Sequence, residues 1–152
     1  MARYLTRLRT KMRPEEVFDL LADMGNAASW DPGVLAVKQV SGDGGGPDGA
    51  WDVTVKAPRG STIFRYETLE YQRPRRVLLR SDTRWFSSVD EVVVTTAGDE
   101  TELLYDAELT FGNVGFVSRL ANPILQRVFD RVGEEAMRGL RAAVDGREVQ
   151  QS

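Results

Sequence analysis

Apolar residues along this chain recur with two periods, and each change of period marks a new element. Residues 3–10, RYLTRLRT, set Arg3, Arg7 and Arg9 on one face and Tyr4, Thr6 and Leu8 on the other, the alternation of a half-buried strand. In RPEEVFDLLADMGN the period becomes helical, with Val17, Leu20, Leu21 and Met24 falling on one side. Pro14 suits a first helical position, Glu15 and Glu16 complement the positive helix end, and Gly25 offers a stop. Asn26 is placed to cap a second, short helix through NAASW, which Pro32 ends; Asp31-Pro32-Gly33 has the order of a type II turn.

Period two then takes over. VLAVKQV predicts a strand, and SGDGGGPDG at 41–49 is too rich in glycine for regular structure. It lacks the Gly-Lys-Ser/Thr ending of a phosphate-binding loop, which leaves a flexible hairpin connection or a lid over a site. WDVTVKA puts Trp51, Val53 and Val55 on one face, and Phe64 and Tyr66 oppose Arg65 and Glu67. Pro74 interrupts pairing, so a hairpin turn is expected near Gln72–Arg75, with VLLRS continuing as a strand. SSVDEVVVTT and TELLYDAELTF form a further hairpin across Ala97-Gly98-Asp99-Glu100, and Leu103, Tyr105, Ala107, Leu109 and Phe111 share a face. Six antiparallel strands therefore follow the first helices, and residues 3–10 make seven.

Asn122-Pro123 signals the start of one long closing helix. Leu125, Val128, Phe129, Val132, Ala136, Leu140 and Val144 give it an apolar stripe. Gly133 and Gly139 cost helix stability there, which close packing against the sheet would explain. The tail REVQQS reads as frayed.

Composition narrows the chemistry more than the fold. A chain of 152 residues fits one domain, residues 1–152, with room for a real core. No apolar run approaches a bilayer span, and the basic start MARYLTRLRTKMRP has no signal-peptide core, so a cytoplasmic protein without integral membrane association is expected. Cysteine and histidine are both absent, which excludes disulfides, thiolate nucleophiles, histidine triads and histidine metal sites together. Carboxylate cation sites stay open, though no EF-hand spacing appears, and neither metal nor cofactor is expected. A net charge of −3 argues against a nucleic-acid partner.

Three stretches carry a family resemblance. PEEVFDLLADMGNAASWDPGV looks like an N-terminal helix pair running into a Trp-centred turn; YETLEYQRPRRVLLR is similar to a Glu-x-x-x-Pro-x-Arg hairpin; GDETELLYDAEL resembles a Gly-x-x-Thr-x-Leu strand start. Together with the element order they resemble the START-like, Bet v 1-like helix-grip superfamily (SRPBCC), within it the polyketide cyclase/dehydrase group of bacterial proteins. The resemblance implies an α+β fold of order β-α-α-β6-α, a seven-stranded curved antiparallel sheet wrapped around the C-terminal helix. It also implies a ligand cavity, because one helix about 10–12 Å across cannot fill such a space.

On the inferred inner face lie Trp51, Phe64, Tyr66 and Tyr105. Each alone fits core packing at least as well as ligand contact. Together they favour a pocket, since two buried tyrosine hydroxyls need partners that a dry core rarely supplies. Trp30 closes the second helix, either at the cavity mouth or packed beneath the turn, and Trp85 sits in a connection placed to form the rim. Phe129 joins the candidate lining from the long helix. Alternation puts either Asp90, in phase with Ser88, Val92 and Val94, or Glu91 toward the interior, and the family pattern favours Asp90. An interior carboxylate would titrate high unless a cation answered it, and Arg84 is the candidate cation. The cluster Arg73, Arg75, Arg76 and Arg80 reads as a solvated hairpin balanced by Glu67 and Glu70, with attraction of an acidic partner the lesser reading.

The leading functional expectation is a binder of a small hydrophobic or amphipathic ligand (lipid, isoprenoid or polyketide-like). The alternative is a cyclase, aromatase or dehydratase using Tyr66, Asp90 and Arg84 in the same cavity; the missing histidine weakens it, since some relatives rely on one. An interaction module ranks last, because the outer faces show no large apolar patch. A homodimer is left open.

Overall fold

Because alternating residues point to opposite sides of a strand, strands with one apolar face assemble into a sheet with one apolar side. The computed structural model describes residues 2–57, 59–84, 86–111 and 123–149. Strand β1 (Ala2–Thr10) leads to helices α1 (Pro14–Ala22) and α2 (Ala27–Trp30), joined by a 3-10 turn at Met24–Asn26. Then come β2 (Val34–Ser41), β3 (Ala50–Ala57), β4 (Gly60–Gln72), β5 (Arg76–Asp82), β6 (Phe86–Ala97) and β7 (Glu100–Phe111). Helix α3 (Pro123–Ala143) and a two-residue strand β8 (Arg147–Glu148) follow.

The sheet order is β2-β3-β4-β5-β6-β7-β1-β8, with every neighbouring pair antiparallel. This is the α+β helix-grip arrangement, a curved antiparallel sheet packed against the C-terminal helix. Among the described residues the sheet has eight strands, not the seven expected. The tail expected to fray turns back at Asp145 (φ 49°) and Gly146, so that Leu8 pairs with Glu148 and Arg9 with Arg147. The Val149 N–H donates to the Arg7 carbonyl at 3.0 Å, and the Arg147 guanidinium grips the Glu100 carboxylate.

Burial follows the predicted faces. Leu8, Val77, Leu79, Val92, Val94 and Leu103 close one end of the inner face beneath Val17 and Phe18 of α1 and Leu140 of α3, each side chain buried there contributing about 1.5–3 kcal/mol. The Phe18 and Tyr71 rings meet edge-on at 5.3 Å, tying α1 to β4. Helix α1 ends at Ala22, before the predicted stop at Gly25, because the Asp23 carboxylate accepts the Gly25 N–H at 2.8 Å and opens the 3-10 turn. Asn26 makes no side-chain cap; its amide donates to the Leu20 carbonyl at 3.2 Å.

Among the described side chains of the α3 stripe, Ala136, Leu140 and Val144 are buried, while Val132, read as part of it, is 50 % exposed. The side chains of Leu125, Val128 and Phe129 lie outside the described residues. Two glycines set how the helix seats. A Cβ at Gly133 would collide with the Tyr4 ring, so the helix seats on β1 through that bare position. At Gly139 a Cβ would collide with the Trp30 carbonyl oxygen, so the close packing there is against α2, not the sheet. Alanine in a helix interior normally gains about 1 kcal/mol over glycine. Gly139→Ala is expected to reverse that sign and lose about 1–3 kcal/mol through overpacking against rigid backbone, read as a lower denaturant midpoint.

Candidate ligand-binding site

Register decides which inward side chains meet. Trp51 pairs with Tyr66, Tyr66 with Ser81 and Ser81 with Ser88, so four consecutive strands contribute one cross-strand row. One step along, Thr68 pairs with Leu79 and Leu79 with Asp90. Opposed residues on one face sit roughly 5 Å apart at Cβ, close enough for these polar groups to form one belt. On one side of the belt lies the closed apolar end. On the other, Val55, Phe64 and Phe86 keep accessible surface, with the Phe64 and Phe86 rings 5.0 Å apart. The inner face thus runs from a sealed floor, through a polar belt, to an aromatic end that stays partly open.

Asp90 is the centre of the belt. It is inward and only 7 % exposed, which resolves the choice between Asp90 and Glu91; Glu91 points out and pairs with Arg76 at 2.7 Å. The Ser88 hydroxyl donates to Asp90 Oδ1 at 2.8 Å and the Tyr105 hydroxyl to Oδ2 at 2.6 Å. Ser88 also interacts with the Tyr66 hydroxyl, so Tyr66, Ser88, Asp90 and Tyr105 form one chain of polar groups. Burial pushes the Asp90 carboxyl above the usual carboxylate range, opposed by the hydrogen bonds from Tyr105 and Ser88 and reinforced by Asp31 and Asp106. Burial likewise raises Tyr66 and Tyr105, and the Asp90 charge adds to both shifts. In each of the three groups burial thus opposes the charged form, and at Asp90 two hydroxyl donors offset part of it.

The structure places the predicted residues in different settings. Trp51 is fully buried at one end of the belt. Trp30 is buried with its ring edge-on to Tyr105 at 5.9 Å, between the sheet and α3. Tyr66 and Phe64 are half-buried on the inner face. Arg84 lies exposed in the connection between β5 and β6. Trp85 and the Phe129 side chain lie outside the described residues. Of the arginine cluster, Arg73 pairs with Asp19 at 2.8 Å, Arg80 with Asp82 at 2.6 Å, and Arg76 with both Glu70 and Glu91.

Ser88, read as inward in phase with Asp90, was not expected to be its hydrogen-bond partner. Asp31 was read only as a turn residue, yet it is half-buried, accepts the Gly33 N–H at 2.8 Å and interacts with Asp90, Tyr66 and Tyr105. Burial raises its pKa, the Gly33 bond opposes this, Glu135 adds to the rise, and Lys56 lowers it.

Among the described residues, no set of acids stands close enough to hold a metal ion. No described helix is long and apolar enough to cross a membrane. Two open surface concavities of about 400 and 560 Å³ flank α3; neither is lined by a residue of the belt.

A family model described as polyketide cyclase / dehydrase and lipid transport matches residues 5–145. No curated protein matches the chain. Among solved structures, a protein from Thermus thermophilus superposes with a TM-score of 0.73 at 16% identity, covering 94% of this chain and 97% of its own. A START superfamily protein from Mycobacterium smegmatis gives 0.73 at 12% identity, with 94% and 97% covered. The Zhui aromatase/cyclase from a Streptomyces species gives 0.73 at 13% identity, with 95% and 93% covered. At these identities the structural likenesses establish the fold.

The belt's electrostatics set a sign for pH dependence. A carboxyl raised in the folded state contributes stability below its unfolded pKa and loses it as pH rises through the folded value. Wild-type protein is therefore expected to lose stability relative to Asp90→Asn as pH rises from about 4, the ordinary carboxyl value, in denaturant titrations at stepped pH. Tyr105→Phe removes a donor to the carboxylate; it is expected to cost about 1–2 kcal/mol and to move the Asp90 carboxyl titration, followed by carbon NMR, further up.

Proposed function

The chain belongs to the polyketide cyclase / dehydrase and lipid transport family, and from that premise we propose that it binds a small hydrophobic or amphipathic ligand on the inner face of its sheet. The observation that carries the reading is the buried Asp90–Ser88–Tyr105 cluster set between apolar floor and aromatic end. A carboxyl buried in a sheet interior costs stability that packing alone does not require. A polar group of a bound molecule supplies a use for it, while Phe64, Phe86 and Tyr66 supply apolar contact.

A catalytic reading has one specific support. A carboxyl that holds its proton to higher pH than usual, hydrogen-bonded to a tyrosine, is the donor that an aldol cyclisation or dehydration needs. In this reading Asp90 protonates a ligand oxygen, Tyr66 orients it, and Arg84 has a role only if its connection folds inward. Release of product would leave no bound molecule, whereas a carrier retains its cargo.

Native mass spectrometry of protein purified gently from its own host separates the two. A stoichiometric adduct of a hydrophobic molecule is the expected result. A bare mass, together with no uptake of the neutral dye Nile red, would overturn binding; a bare mass with cyclisation of a poly-β-keto substrate that slows in Asp90→Asn would favour the enzyme.

A further inference from the structure

The belt has a definite charge and a surplus of donors. The Asp31 carboxyl bears electrostatically on Asp90, and Asp106 adds to the negative field there. Glu135 of α3 adds to that at Asp31, where Lys56 is the opposing cation. Asp90 itself is met by hydroxyls. In the same row, between Tyr66 and Ser88, the Ser81 hydroxyl is fully buried and has no hydrogen-bond partner among the described residues. The indole N–H of Trp51, at the end of that row, is likewise buried and without one among them. Indole can only donate, and serine and tyrosine hydroxyls donate as readily as they accept. The unspent capacity of the belt is thus for an oxygen that accepts, while its field opposes an oxygen that carries negative charge.

We infer that the belt selects ligands bearing an uncharged acceptor oxygen, such as an ester, ketone or alcohol, and turns away the corresponding carboxylates, with Asp90 as the specificity-determining residue. This rests on the ligand-binding reading above and deepens it. Specificity of this kind comes from what is repelled as much as from what is held. A carboxylate entering the belt meets two acids and leaves the paired lone-pair oxygens of Asp90 facing its own. An ester carbonyl meets the Ser81 and Trp51 donors, unpartnered among the described residues, and brings no charge.

Methyl laurate and laurate share one chain and differ in that charge, so competition of each against Nile red near neutral pH tests the inference. Wild-type protein is expected to prefer the ester by about tenfold or more. Asp90→Asn, nearly isosteric, is expected to shrink that ratio by at least about fivefold, chiefly because laurate tightens. Asp31→Asn, half-buried just after α2, is expected to shrink it less, and serves as the second variant if Asp90→Asn fails to fold. Laurate binding as tightly as its ester in wild type, or a ratio unmoved in the folded variants, would overturn the selectivity while leaving binding intact. Failure of wild-type protein to take up dye and both laurates would overturn the binding reading, and this inference with it.

Discussion

The fit of Trp30 between helix and sheet is the contact on which the rest of the interior depends. Its carbonyl is pressed against Gly139 of α3, and its ring lies edge-on to Tyr105 of β7. Tyr105 in turn delivers its hydroxyl to Asp90 of β6. A side chain at position 139 would lift α3 from α2, and with it the ring that keeps Tyr105 turned to the belt. The two glycines are therefore seats for the helix, and the exposed Val132 shows where the seat on Tyr4 turns the stripe away from the core. Stability and site geometry are set by one set of close approaches.

The belt itself works against stability. Desolvation raises the Asp90 carboxyl, and two hydroxyl donors offset only part of it. Hydroxyl groups share a proton without bringing charge, so they fix the carboxyl's position without fixing its protonation state. A guanidinium in the same place would have held the carboxylate ionised and closed it to any ligand. The outer face of the sheet shows the contrast. There Asp106, Glu102 and Asp52 pair with Arg3, Arg9 and Arg65 in solvent, where ion pairs need little desolvation and contribute about 0–1 kcal/mol each.

Most of the fold was legible because period-two alternation fixes both the strand and its face. Ser88, Asp90, Val92 and Val94 were read as inward from phase and family pattern, and they are buried on that face. The hairpins at Gln72–Arg75 and Ala97–Glu100 were legible from Pro74 and Gly98. What escaped depended on distances across the chain. Pairing of Arg147 with Arg9 needs the whole sheet in place, and nothing local in REVQQS announces it. Asp31 sits 59 residues from Asp90 in sequence, so its share in the belt exists only once α2 is folded over β7. The side chain that would answer Asp90 was sought among cations, whereas the hydroxyls that do so, Ser88 and Tyr105, share its face of the sheet.

The gradient along the inner face gives the belt its meaning. A protein that needed only a core would continue the valines and leucines of the floor outward, since apolar packing there is worth more than a half-satisfied polar row. Instead the polarity rises at one level across four strands, β3 to β6, and falls again to phenylalanine beyond it. That profile fits the proposed ligand, with an apolar body and a polar group at fixed depth. In that proposal the level of Asp90, which would orient such a molecule, is also the level at which its charge would be judged.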